Sequence, residues 1–243
     1  MYLLYYEVKI SIMSGTVHIV PIGHTKETII DSIKKSLSMY PISKVVFVLG
    51  DREQASETKA RVVAAEVEKS LGLIPCEKIQ MDLEDVLGTA HKLVLKIREE
   101  KKVFEEIILN LSGSLRTVDI AGFMAASITE SKVLIGPPEY DKEGKIKGVK
   151  YVIDVPLMPV EKMSEEKLEV LGLVSIKEWK SLDALSIELG KKTKLKPNSL
   201  KSKIRFHLGD LKGKKFIETK KDGKTLLIKL SELGKVYYEG LRE

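Results

Sequence analysis

Residues 110–116 read Asn-Leu-Ser-Gly-Ser-Leu-Arg, and they form the most informative stretch of the chain. Ser112 and Ser114 carry hydroxyl donors, Gly113 allows close approach to the backbone, and Arg116 carries a guanidinium able to hold a phosphate through two parallel hydrogen bonds. The apolar residues 106–111 before them have the composition of a buried strand, and an amphipathic helix comes after. A strand that ends in small polar residues and opens a helix points backbone N–H groups and the positive end of the helix dipole at whatever sits above the sheet edge. Local chemistry leaves a second reading open. A Ser before a helix often serves only as an N-cap, and Arg116 then becomes an ordinary surface arginine.

The elements that must position this turn alternate through residues 16–155. Strands are expected at 17–22, 45–49, 78–81, 107–111 and 132–135, with helices at 26–39, 54–71, 83–100 and 118–129. Short apolar runs separated by helices predict an α/β domain, a Rossmann-like doubly wound and mostly parallel sheet covered on both faces. Ligands of such sheets bind beyond the carboxyl ends of the strands, near the switch in strand order. The loops at that edge are Gly23-His24-Thr25, Gly50-Asp51-Arg52, residues 112–116 and Gly136-Pro137-Pro138. Residues 142–155 are expected to make a closing hairpin or an edge strand, and Pro156 and Pro159 mark a linker.

Charge separates this region from the carboxyl-terminal third of the chain. Residues 1–160 carry 21 Lys and Arg against 22 Asp and Glu, whereas residues 161–243 carry 20 against 13. Residues 191–229 concentrate 14 basic side chains against only Asp210, Glu218 and Asp222, a density that points to a polyanion partner. Helices are expected from about Leu168 to Val174 and over 181–190, where Gly190 is a natural stop. Leu200, Ile204, Leu208 and Leu211 then form one buried helical stripe. The outward face holds Asn198, Lys201, Ser202 and Arg205, as expected of a helix that reads a major groove. Apolar strands flank Lys220-Lys221-Asp222-Gly223-Lys224, an Asp-Gly hairpin tip with three lysines. This is the pattern of a winged helix-turn-helix. Tyr237 and Tyr238 of the last helix are expected in the core or at a dimer contact.

Several chemistries find no support. The sequence has no P-loop, no Gly-x-Gly-x-x-Gly after the first strand and no Gly-x-Ser-x-Gly elbow. His18, His24, His91 and His207 are scattered without metal-ligand spacing, so no metal, cofactor or catalytic residue is assigned. Cys76 is the only cysteine, which excludes an intrachain disulfide and suits a reducing, cytoplasmic setting. No apolar run approaches the roughly 18 to 20 residues that span a bilayer, so no membrane partner is expected. Residues 1–12 are apolar but lack a basic start and a cleavage site; they are either an extra strand or an upstream choice of start.

Asn110-Leu111-Ser112-Gly113-Ser114-Leu115-Arg116 resembles the Asp/Asn-x-Ser/Thr-x-x-x-Arg/Lys pattern of CARF domains, the CRISPR-associated Rossmann-fold sensors. Its place after the fourth strand, the glycine loop after the first, and the attached winged helix extend the resemblance over nearly the whole chain, to archaeal CARF winged-helix regulators. The resemblance implies a sensing and dimerisation domain over residues 1–156, a linker over 157–163 and a DNA-binding domain over 164–243. It implies a homodimer with one symmetric pocket for a cyclic oligoadenylate, most often cyclic tetraadenylate, and winged helices bound to double-stranded promoter DNA in a CRISPR-linked antiviral response. Gly23, His24 and Thr25 would line the first loop, and Asn110, Ser112, Gly113, Ser114 and Arg116 would hold ribose and phosphate. Lys26 and Arg52 are expected to assist Arg116, because the sensor half is nearly neutral. Lys201, Arg205, Lys220, Lys221 and Lys224 are expected to touch DNA phosphates. Two rival readings stand beside this one: a metal-independent ring nuclease, with His24 as the one available base, and a regulator that senses an unrelated nucleotide or metabolite.

Overall fold

The computed structural model describes residues 13–157, 160, 163–174, 177–191 and 197–241, so residues 1–12 and part of the expected linker lie outside it. The chain divides into two compact units, Met1–Met158 and Pro159–Glu243.

In the first unit, apolar strands alternate with helices as β1 (Met13–Pro21), α1 (Lys26–Ser36), β2 (Ile42–Gly50), α2 (Ala55–Leu71), β3 (Cys76–Met81), α3 (Val86–Lys101), β4 (Phe104–Asn110), α4 (Arg116–Thr129) and β5 (Lys132–Ile135). The short β6 (Pro138–Tyr140), β7 (Ile146–Val149) and β8 (Ile153–Asp154) complete it. Six strands form one sheet in the order β3-β2-β1-β4-β5-β8, parallel except for β8. Residues 45–50 of β2 are all buried because helices cover both faces, whereas the edge strand β3 alternates and reads weakly in the sequence. Right-handed crossovers put α1 and α2 on one face and α3 and α4 on the other. The first pair buries Ile29, Ile33, Val63 and Val67 against Val20, Val45 and Phe47. The segment 142–155 supplies the expected edge strand, since β8 pairs antiparallel at the β5 edge, and one strand of the expected hairpin, since β7 pairs with β6 just before the segment.

Element ends differ from the periodic reading where side chains intervene. α3 begins at Val86 rather than at 83, because Asp85 caps it by accepting from the Gly88 N–H at 2.9 Å. α4 begins earlier than expected, at Arg116, and so brings the guanidinium into its first turn. Because the strand order reverses between β1 and β4, the turns after these two strands diverge to opposite faces and leave a crevice at the carboxyl edge.

The second unit contains α5 (Glu165–Leu173), β9 (Lys180–Ser181), α6 (Leu182–Gly190), α7 (Pro197–Gly213), β10 (Ile217–Asp222), β11 (Thr225–Leu230) and α8 (Glu232–Leu241). Leu200, Ile204, Leu208 and Leu211 are buried along one side of α7, with Val170, Leu185, Leu189, Ile228 and Val236 completing the core. β9 has only two residues and no sequence signal, yet it pairs with β11 to make a sheet in the order β10-β11-β9. The β10–β11 tip is Gly223-Lys224, closed by the Asp222–Thr225 pair. Gly223 has φ of 58°, which suits a two-residue hairpin turn that needs a left-handed first residue. Tyr237 packs on Phe216 at 4.4 Å between ring centroids, and Tyr238 packs against Gly172, so both tyrosines serve the interior of this unit.

Candidate functional site

The turns after β1, β2, β3 and β4 enclose a cavity of about 270 Å³ at the carboxyl edge of the sheet. Gly23 and His24 line it from the first turn, Arg52 and Gln54 from the second, Asp82, Leu83 and Glu84 from the third, and Gly113, Ser114 and Leu115 from the fourth. Its floor includes Ile22, Glu57 and Ala60.

The β4 turn is held from behind. Asn110 is 0% exposed, donates through Nδ2 to Ser32 Oγ at 3.2 Å, and accepts at Oδ1 from the Ser112 hydroxyl at 2.6 Å and the Ser112 N–H at 3.3 Å. It therefore has no surface to offer a ligand; it shapes the turn. The Ser112 proton is committed to Asn110, and the Ser114 hydroxyl donates to Asp119, whose carboxyl burial nevertheless lifts above the usual carboxylate range. Gly23 and Gly113 serve packing in the same way. A Cβ on Gly23 would stand 2.0 Å from the Gly113 carbonyl oxygen, and one on Gly113 would stand 2.9 Å from Ile29, so the two turns fit only as glycines.

Among the described residues of this edge, several helix-start N–H groups and the Arg116 guanidinium lack a side-chain acceptor. α1, α2 and α4 start at Thr25, Gln54 and Leu115 without a side-chain cap, whereas α3 has Asp85. Three helix starts thus leave first-turn N–H groups to solvent or to an anion, although on α4 the Val118 N–H donates to the Leu115 carbonyl oxygen at 3.0 Å. Arg116 is exposed on α4, with no acid paired to it among the described residues. The other expected cations are engaged. Arg52 bonds Asp82 at 3.0 Å and Glu84 at 2.6 Å, and these acids raise its pKa above the ordinary value. Lys26 pairs with Glu66 at 2.8 Å. His24 is exposed and its Nε2–H donates to the Ser56 carbonyl oxygen at 3.1 Å, which leaves Nδ1 as an acceptor. Glu57 also faces inward, accepting from the Gly50 N–H at 3.0 Å. The cavity wall therefore carries Glu57, Asp82 and Glu84 against Arg52 alone. Sequence reading missed these acids, although the run Asp82-Leu83-Glu84-Asp85 directly after a strand signals them.

A family model described as HFX_2341_N:-like, N-terminal matches residues 16–139, the segment that builds this edge. The chain belongs to that family. An uncharacterized protein of Archaeoglobus fulgidus is similar to this family member at 28% identity over 231 residues, covering 93% of this chain and 98% of the relative. Two solved structures share a looser likeness. Csm6 of Enterococcus italicus, bound to cyclic hexa-2'-fluoro-hexa-dAMP, aligns at TM-score 0.44 and 11% identity over 84% of this chain and 57% of that one. Can2 of Sulfobacillus thermosulfidooxidans, in complex with cyclic tetra-adenylate, aligns at TM-score 0.39 and 12% identity over 92% of this chain and 63% of that one. This family member thus spans less than two thirds of either structure.

The second unit lies beyond the family-matched residues and carries the basic surface. On α7, Ser202 and Arg205 are exposed, while Lys201 pairs with Asp183 at 2.6 Å; the Asn198 side chain lies outside the described atoms. Phe206, absent from the sequence reading, is exposed beside Arg205. Lys221 and Lys224 project from the hairpin, and Lys220 sits 4.4 Å above the Trp179 ring, a cation–π contact that fixes its ammonium. Among the described residues no helix is long and apolar enough to cross a membrane, and no acid, His and Cys group is arranged to hold a metal ion.

Proposed function

We propose that the first unit senses a cyclic oligoadenylate and that the second unit, read as a winged helix-turn-helix, binds double-stranded DNA, so that a homodimer acts as a ligand-responsive transcription regulator. The observation that carries this reading is the Asn110-x-Ser112-x-x-x-Arg116 turn, braced from behind by Asn110, flanked by uncapped helix starts and topped by a free guanidinium. A phosphodiester supplies the acceptors these N–H groups lack. The cavity takes a different part of the ligand. Glu57, Asp82 and Glu84 repel phosphate but accept from amino groups, such as the exocyclic amine of adenine. Bases therefore turn toward the cavity and phosphates toward Arg116. One Arg116 per chain is too little for a ring of phosphates, which is why the pocket is assigned to two copies related by a two-fold axis.

For the second unit, the support is the exposed Ser202 and Arg205 on α7 together with the lysine-tipped β10–β11 ribbon. Occupation of the pocket shifts the balance between two dimer shapes. A coupling of about 1 to 3 kcal/mol changes DNA affinity about 5- to 150-fold.

Calorimetric titration with cyclic tetraadenylate, then chromatography of the recovered ligand, tests the reading. The expected result is one ring per dimer, binding weakened by Arg116→Ala, and an intact ring afterwards. Linear adenylates in the eluate would instead establish a ring nuclease with His24 Nδ1 as the available acceptor. Absence of heat with any cyclic adenylate would return the pocket to an unrelated nucleotide or metabolite.

A further inference from the structure

Phe206 is 80% exposed, the most exposed large apolar side chain described in the second unit, ahead of Ile187 at 64%. Its ring touches the fold edge-on through the adjacent His207, at 5.2 Å between centroids. Packing within the chain does not account for it. At spacings of three and four its helical neighbours are Ser202, Lys203, Gly209 and Asp210; Ser202 and Gly209 are exposed, while Lys203 pairs with Glu166 at 3.1 Å and the exposed Asp210 with Lys167 at 2.8 Å. Gly209 adds a detail. Glycine weakens a helix interior, yet no atom stands within 4 Å of where its Cβ would be, so nothing inside the chain requires the missing side chain. On the Ser202–Gly209 side the aromatic ring is set among small residues, with the exposed Arg205 next to it in the chain, while Lys203 and Asp210 on the other side are held in ion pairs.

Charge selects the occupant. Residues 161–243 hold 20 basic against 13 acidic side chains, and an apolar partner surface on another protein gains nothing from that excess, whereas a polyanion does. Duplex DNA offers an apolar group inside a highly anionic groove: the 5-methyl of thymine, which projects into the major groove and is contacted by Phe and other apolar side chains. We infer that Phe206 is a specificity-determining residue that packs on a thymine methyl group, with Gly209 and Ser202 letting α7 sit close to the groove floor. This rests on the DNA-binding reading above and adds to it the base that is read.

The test starts with a pool of random-sequence duplexes selected on the full chain, with and without cyclic tetraadenylate. Each thymine of the recovered duplex is then replaced by uracil, which removes only the methyl group. The expected result is at least one position where uracil weakens binding about 4-fold, the worth of burying one methyl group. Phe206→Ala is expected to bind thymine and uracil duplexes equally. Lys220→Glu, Lys221→Glu and Lys224→Glu together weaken both equally and keep the ratio. Because Phe206 is exposed, its removal leaves the thermal midpoint unchanged, which separates lost contact from lost fold. A recovered duplex with no thymine preference, or a preference that survives Phe206→Ala, overturns the inference while DNA binding stands. Recovery of no duplex overturns the DNA-binding reading itself. A change in oligomeric state on Phe206→Ala would assign the ring to a second copy of the chain and also overturn the inference.

Discussion

Mild acidification weakens the first unit, and His18 is the reason. This histidine lies in the middle of β1, paired in register with Val45 and Ile108, and it is 0% exposed with neither ring nitrogen hydrogen-bonded. Burial pushes its pKa down to about 4 from 6.5. The native imidazole is neutral and the unfolded one takes up a proton, so the unfolded state binds more protons below the unfolded pKa. Stability is therefore complete above 6.5, falls as pH drops, and the loss levels off near 4. The full interval corresponds to about 3 kcal/mol, of which about 2 kcal/mol is lost between about pH 7 and pH 5. Asp31, Glu77 and Asp82 have lowered pKa values, so their contributions are lost only at lower pH; burial raises Asp119, whose contribution grows on acidification and opposes that of His18, so comparison with a His18 variant isolates the histidine. Amide exchange of β1, β2 and β4 by mass spectrometry, in wild type and His18→Leu, measures the effect locally. Wild type is expected to lose protection across this window and His18→Leu to hold it. The transition seen by Trp179, which sits in the other unit, is expected to be the same in both proteins. Parallel loss of protection in the two proteins would refute burial of His18 as the cause.

Packing leads to two more expected outcomes. Gly23→Ala forces its Cβ toward the Gly113 carbonyl and displaces the β4 turn, so cyclic tetraadenylate binding falls more than about 10-fold at a stability cost of about 1 to 3 kcal/mol, read by calorimetry and by urea unfolding. Lys96, 8% exposed at its side chain, bonds Glu77 and Glu100 at 2.7 Å each, and these partners raise its pKa against the opposing effect of burial. Lys96→Met leaves the buried Glu100 with Lys44 alone and is expected to cost about 3 kcal/mol in urea unfolding, with little change in DNA affinity.

The amino-acid sequence by itself determined the longer helices and the buried strands and their order, whereas the two-residue β9 exists only through its pairing with β11. Apolar runs of four to six residues specify strands whether or not a partner is known, because burial on both faces is written into consecutive side chains; hence residues 45–49 and 132–135 are legible one by one. The α7 stripe and the lysine-bearing hairpin are legible for the same reason, since spacing along one element is a local property. The strand-to-helix turn at 112–116 was legible, but the partners of its side chains were not. Asn110 turned inward because the strand pleat and α1 put Ser32 beside it, 78 residues away in the chain. Arg52 and Lys26 pair with Asp82, Glu84 and Glu66, partners that only strand order and helix packing bring within ion-pair distance. The contact between Gly23 and Gly113 exists because β1 and β4, distant in sequence, are neighbours in the sheet. Residue type fixes what a side chain can do, but which of its possible partners it meets is decided by the topology that sets them side by side.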